Sequence, residues 1–229
     1  RNFCPHTERL WMNSLMNNDQ KNIGVCAWLE KNAEKSPFKT AVTDPHISLN
    51  YITLFKISNY IASNYIAVDH GDSGLDKNAA SVCIFMDKSA LCVSAMLGAA
   101  FAGRFYSVID TSLPVERIKL LVEKLGCKLI ITDDKHGDHE VLKNISENKR
   151  DIAVRKIDNG IIEAAKEMTE YFRTDINTQT PLYCNFTSGS TGEPKGVIIS
   201  HKAVMDFIPE FTEALKLDES EVFANQAPF

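Results

Sequence analysis

Apolar and polar positions along this chain recur with two different periods, and the switches between them predict the elements. Residues Asn22–Ser36 read as a short helix that stops before Pro37, because the residue ahead of a proline is pushed out of the helical region. Two apolar–polar alternations, "FKTAVTD" and "ISLNYIT", flank Pro45-His46 and predict a hairpin. Leu54, Ile57, Ile61 and Tyr65 follow at helical spacing, with Thr53 placed as N-cap. "HGDSGLDKN" is a Gly/Asp loop. Past it the pattern becomes regular. "SVCIFM", "FYSVI" and "CKLIIT" are continuous apolar runs of strand length. Between them lie a small-residue helix over Ser89–Gly103 and a helix opened by Pro114, whose Ile118, Leu121, Val122 and Leu125 form one stripe closed by Gly126. Strands apolar on both faces, separated by helices, mean an α/β fold: a parallel sheet flanked by helices. Further helical pieces fall at Lys143–Ser146 and Asn159–Tyr171, and the pattern leaves the strand order open.

The last third carries the unusual chemistry. "PLYCNFT" and "GVIIS" are both strand-like, and Ser200 caps an amphipathic helix bearing Val204, Phe207, Ile208, Phe211 and Leu215, with a kink expected at Pro209. Between the two strands hangs a loop over Ser188–Lys195. Gly189, Gly192 and Gly196 permit positive φ and leave backbone N–H groups uncovered, as an anion cradle requires. Thr187, Ser188, Ser190 and Thr191 add hydroxyl donors, Pro194 stiffens the approach, and Lys195 supplies a point charge that phosphate accepts from several directions. These residue types in this order predict a polyphosphate-binding loop. A Walker P-loop does not fit, since Lys195 is followed by Gly196 and no helix opens directly after it. A G-x-S-x-G nucleophile elbow does not fit either, because Gly189 and Gly192 are wrongly spaced around Ser190. "DDKHGDHE" at Asp133–Glu140 offers carboxylates and two histidines, but a hydrophilic stretch after a strand reads first as a solvated loop entering a helix.

Composition narrows the partners. The chain has 229 residues, 44% hydrophobic and 24% charged, with a net charge of −5 and no cluster of four or more basic residues. That balance argues against nucleic-acid or anionic-membrane partners. Ser89–Gly103 is only fifteen residues between Lys88 and Arg104, short of the roughly 20 a membrane helix needs. The six cysteines show no C-x-x-C pair, and four of them (Cys83, Cys92, Cys127, Cys184) sit inside apolar runs, as in a reducing compartment. No signal-like apolar segment opens the sequence, so a cytoplasmic location is expected. The chain stops at "FANQAPF", inside what reads as an ordered apolar segment, and is expected to be a fragment of a longer protein.

"FTSGSTGEPKGVIISH" resembles the phosphate-loop signature of the adenylate-forming (AMP-binding) superfamily, which includes acyl-CoA synthetases, luciferases and peptide-synthetase adenylation domains. "SLNYITLFKISNYIASNYI" is similar to the family's first core segment, with Asn50 in place of the usual threonine. "LGAAFAGRFYSVIDTSLPVERIKLLVEKLGCKLIIT" resembles the second, with Arg104 and Ser107-Val108 as departures from the pattern. The likeness runs from about Ile23 to Phe229, so that 1–229 reads as the N-terminal portion of an adenylation domain, the rest of the large domain and the C-terminal lid domain being absent from it. "FANQAPF" looks like the approach to the next core motif in D-alanine–carrier-protein ligases, which favours an amino acid as substrate.

The resemblance implies ATP-dependent activation of a carboxylate as an acyl-adenylate, followed by transfer to a thiol of a carrier protein's phosphopantetheine or of CoA. It implies ATP and Mg²⁺ as cofactors, Thr187, Ser188, Ser190 and Thr191 as phosphate or Mg–ATP contacts with Thr191 at the metal, and Lys195 at the β/γ-phosphates. Gly189, Gly192 and Gly196 shape the loop, and His201 is read as structural. Residues for adenine, ribose, Mg²⁺ and the substrate carboxylate come later in family members, so the 229-residue piece is expected to be inactive unaided. Two alternatives remain: an acyl-CoA or aryl-acid ligase of the same superfamily, and a non-enzymatic nucleotide-binding scaffold.

Overall fold

The computed structural model describes residues 24–67, 81–149, 151–172, 174, 176–188 and 193–226. The expected Gly/Asp loop at 70–78 lies outside them, as does the start of the first expected helix. That helix, α1, runs Val25–Lys35 and ends at Ser36 ahead of Pro37. Strands β1 (Thr40–Thr43) and β2 (Ser48–Asn50) pair antiparallel around Pro45-His46. The turn is tied by Asp44, whose Oδ1 accepts from the backbone N–H groups of His46 (2.7 Å) and Ile47 (2.9 Å). Its Oδ2 accepts from the N–H of Ala90 (2.8 Å), so one carboxylate closes the hairpin and holds the start of a distant helix.

Helix α2 covers Tyr51–Ile61 and continues as a π-helical turn over Ala62–Ile66. Its N-cap is Asn50, not Thr53. Asn50 ends β2 with extended backbone, and its Oδ1 accepts the Thr53 N–H at 2.9 Å, so Thr53 occupies the third helical position as the group that is capped. The alternation then develops as β3 (Ser81–Phe85), α3 (Ala90–Phe101), β4 (Phe105–Val108), α4 (Val115–Leu125), β5 (Leu129–Asp133), α5 (Glu140–Asn148), β6 (Ala153–Ile157) and α6 (Gly160–Lys166). Ser89 Oγ caps α3 by accepting the Cys92 N–H (3.0 Å), and Gly126 closes α4 in the left-handed conformation at φ 65°. The chain finishes with β7 (Pro181–Ser188), β8 (Pro194–Ser200) and α7 (His201–Ala214), the last capped by Ser200 and running through Pro209.

The six strands β3–β8 form one sheet in the order β6-β5-β3-β4-β7-β8. All neighbours are parallel except β7 and β8, which pair antiparallel. Strand β3 is buried throughout and divides the core by its pleat. Val82 and Ile84 face the cluster that holds α2 and α3, whereas Cys83 and Phe85 face the one that holds α4 and α5. Helices thus cover both faces, as the apolar runs imply. Gly98 lets α3 approach α2 closely: a Cβ there would stand 2.8 Å from Ile61 Cγ2. Five cysteines of the described residues, Cys26, Cys83, Cys92, Cys127 and Cys184, are free and buried. Among the described residues no helix is long and apolar enough to cross a membrane.

Candidate functional site

Strand β7 runs parallel to β4 with Tyr106 opposite Tyr183, so its C-terminal end reaches the same sheet edge as the C-terminal ends of β3 and β4. The loops leaving β3 and β4 turn to opposite faces, toward α3 and α4. In an open α/β sheet, such a reversal opens the crevice in which ligands bind. A cleft of about 250 Å³ lies there, lined by Asp87, Lys88, Asp110, Thr111 and Gln226 among others.

The β7–β8 hairpin is longer than expected and its loop shorter. Backbone pairing extends to Ser188 opposite Pro194, because seven residues of β8 remain in antiparallel register. Lys195 therefore stands inside β8, directly opposite Thr187, and not at the end of a flexible ribbon. Directly opposed residues project from the same face, so the Thr187 hydroxyl and the Lys195 ammonium share one side of the hairpin base. Thr187 Oγ1 donates a long hydrogen bond to the Lys195 carbonyl at 3.4 Å. Pro194 is buried at the start of an edge strand, where the missing N–H costs nothing.

Gly196 has a different reason from the one expected. It lies within β8 and is not among the described glycines with positive φ, which are Gly24, Gly103 and Gly126. A Cβ at Gly196 would meet Cys184 Sγ at 2.9 Å and Phe186 Cε1 at 3.4 Å, so close approach excludes a side chain. Gly189, Ser190, Thr191 and Gly192 lie outside the described residues, as does the side chain of Ser188.

Electrostatics at the hairpin follow from one ion pair. Glu193, the acidic residue beside the loop, extends to Lys124 at the end of α4 with 3.0 Å between Oε2 and Nζ. Lys195 is exposed, and its ammonium meets no carboxylate among the described residues. An exposed cation beside a hydroxyl is chemistry that the oxygens of a polyphosphate accept. Thr191, expected at the metal, lies outside the described residues, and its hydroxyl is a suitable hard donor for Mg²⁺.

Sequence reasoning missed a second cluster at the same edge. Asp87, just past β3, accepts from Thr111 Oγ1 (2.7 Å), pairs with Lys135 and lies 3.3 Å from His136 Nε2. The bond from Lys135, and then that from Thr111, hold the Asp87 carboxyl below the usual carboxylate range. His136 Nδ1 also meets Asp133 Oδ1 at 2.7 Å, and His139 Nδ1 accepts the Val141 N–H (3.2 Å) to cap α5. The acidic stretch after β5 thus serves as an anchored turn into a helix. Among the described residues no group of three or more His, Cys, Asp or Glu is arranged to hold a metal ion. The signal for Asp87 and Asp110 was their place directly after apolar runs, at the edge where parallel strands end.

His201 opens α7 with its ring fully buried, and Nδ1 accepts the Val25 N–H at 3.3 Å. Gly24 lies against that ring at φ 92°, where a Cβ would come within 2.5 Å of Nδ1. Burial lowers the imidazole pKa to about 4, so the neutral ring is a structural post between the ends of α1 and α7.

Comparison with known proteins identifies the family. Surfactin synthase subunit 1 of Bacillus subtilis (strain 168) is 27% identical over 212 residues, covering 92% of this chain and 5% of the synthase. The D-alanine–D-alanyl carrier protein ligase of Staphylococcus haemolyticus (strain JCSC1435) is 27% identical over 197 residues, covering 86% of this chain and 36% of the ligase. The chain thus spans about a third or less of the length of these relatives. In three dimensions it resembles the N-terminal domain of FACL13 from Mycobacterium tuberculosis, with a TM-score of 0.66 and 21% identity, over 80% of this chain and 46% of that one. The sequence model described as "AMP-binding enzyme" matches residues 29–229, most of the chain, and the chain therefore belongs to the AMP-binding family of adenylate-forming enzymes.

Proposed function

We propose that this chain supplies the phosphate-binding part of an enzyme that activates a carboxylate, an amino acid, with ATP and passes it to a thiol. The observation that carries the reading is the hairpin base, where Lys195 stands opposite Thr187 while Glu193 is drawn off to Lys124. In the first half-reaction a carboxylate oxygen attacks the α-phosphorus, the bond to the bridging α–β oxygen breaks, and pyrophosphate leaves with the charge. Lys195 stands on a strand before any charge develops, and a preorganised donor of this kind contributes on the order of 3 kcal/mol. In the second half-reaction a thiol sulfur attacks the acyl carbon, and AMP departs as its proton is released. Mg²⁺, bound with the nucleotide, supplies further charge neutralisation on the phosphates.

The amino-acid reading rests on the D-alanine–D-alanyl carrier protein ligase among the relatives. A carrier-protein phosphopantetheine is the acceptor it favours, with CoA as the acceptor in the acyl-CoA or aryl-acid ligase reading. ATP–pyrophosphate exchange with a panel of amino, fatty and aryl acids, run on the uninterrupted gene product, separates these. Exchange stimulated by an amino acid is expected. Stimulation by fatty or aryl acids only would replace the amino acid, and no exchange with any acid would leave a nucleotide-binding scaffold. The 229-residue chain by itself is expected to give no exchange, and measurable turnover by it would overturn that statement.

A further inference from the structure

One buried charge in this protein lacks a counter-charge. Arg104, a departure from the family's core pattern, follows the last turn of α3 and directly precedes β4. It is 5% exposed, and its Nη1 is buried with no hydrogen-bond partner. Burial lowers its pKa, and among the described residues no neighbouring carboxylate opposes the shift. Arginine keeps its proton in proteins, so the charge stays. A cation taken out of water without a partner is costly, and a guanidinium fork is shaped to hold an oxyanion by two bonds. The backbone fixes where that fork is anchored. The Arg104 N–H donates to Ala99 O at 2.9 Å, and Gly103 turns the chain there at φ 66°. Thr174 packs over the same turn and brings a second donor, its Oγ1 3.6 Å from the point a Cβ on Gly103 would occupy.

Beside the turn lies a cavity of about 150 Å³ between α1, α3, β4 and β7. Val25, Met96, Leu97, Ala100, Tyr106 and Leu182 are in its wall, which is apolar apart from the Tyr106 hydroxyl. Val25, Met96, Leu97 and Tyr106 are only half-buried, so the recess is open to solvent on their side. Arg104 comes four residues after Ala100 and two before Tyr106. Two residues span about 7 Å at most, a distance that an arginine side chain covers. An apolar cavity of such a volume holds a benzene-sized body. We propose that Arg104 and this cavity form a second carboxylate-binding site, for an acid with a compact apolar body, at the sheet edge opposite the phosphate hairpin. The carboxylate would take the guanidinium fork and the body would fill the recess. The inference rests on an unpaired charge and a cavity, not on the reaction proposed above.

Thermal melts of the uninterrupted gene product in chloride buffer test it with three probes. Benzoate carries both charge and body, inorganic phosphate the charge alone, and benzyl alcohol the body alone. Benzoate at about ten times its dissociation constant is expected to raise the melting temperature by about 2 °C or more, and the other two probes by less than half of that. Arg104→Met and Arg104→Gln each remove an unpaired buried charge, so without a probe they should melt no lower than the wild type. Both should lose the benzoate shift and, in calorimetry, bind benzoate at least about tenfold more weakly. Pyrophosphate exchange should be the same in these variants as in the wild type, so the failure of this site and that of the reaction are read separately. No shift with benzoate, an equal shift with phosphate, or a benzoate shift that survives both substitutions would overturn the proposal. Variants that melt well below the wild type would assign Arg104 to the carbonyl end of α3 as a structural cation, and would overturn it as well.

Discussion

Mild acidification should destabilise this chain through His201. In the folded state burial depresses the imidazole pKa from 6.5 to about 4, so the native state holds the ring neutral while the unfolded chain can protonate it. The stability contributed by the neutral ring is therefore fully present above pH 6.5 and is lost as pH falls toward 4. Integrating the difference in bound protons from neutral pH to pH 5 gives a loss of about 2 kcal/mol. For a chain of this size that corresponds to roughly 4–8 °C in melting temperature. The post lies between the N–H of Val25 and the start of α7, so protonation loosens the contact between the two helix ends. The assay is a series of thermal melts between pH 7.5 and 5 on the 229-residue chain and on His201→Gln. Glutamine can still accept the Val25 N–H but cannot titrate, so its melting temperature should fall by about 4–8 °C less over that range. Parallel pH profiles for the two proteins would refute the assignment, whatever the cost of the substitution at pH 7.5.

Three further outcomes follow from the packing and the site. Lys195→Ala in the uninterrupted gene product should reduce ATP–pyrophosphate exchange on the order of 10²-fold with its melting temperature unchanged; undiminished exchange would remove the lysine from the reaction. Gly98→Ala tests the α2–α3 approach by sign: helix propensity favours alanine by about 1 kcal/mol, whereas overpacking against Ile61 costs about 1–3 kcal/mol. Net destabilisation in chemical denaturation is expected, and a stabilised variant would show that the helices do not meet there. Asp44→Ala removes the acceptor of three backbone N–H groups and should cost about 1–2 kcal/mol in the same assay; a neutral result would mean those amides find water instead.

Much of the fold was legible because local physics decides it. Ser89 and Ser200 cap helices for reasons confined to one turn, and Gly126 ends α4 because glycine alone takes its left-handed conformation without strain. Runs apolar on both faces announced a covered parallel sheet, and "FTSGSTGEPKG" carried the family resemblance that the match over residues 29–229 bears out. Even locally there was competition: Asn50 and Thr53 are both capping residues, and the extended backbone at the end of β2 selected Asn50.

What only the tertiary structure decided concerns groups that meet across the chain. The order β6-β5-β3-β4-β7-β8 depends on which crossovers pack, and each apolar strand is as suited to one neighbour as to another. Asp87 meets Lys135 because the ends of β3 and β5 converge on one edge, and Glu193 meets Lys124 because α4 packs beside β8, and no periodicity encodes either approach. The stripe on α7 shows the division most clearly. Its spacing fixes that the helix has an apolar face, since 3.6 residues per turn align those side chains whatever lies nearby. Whether that face is covered depends on what lies beside it in space, which a one-dimensional pattern does not contain.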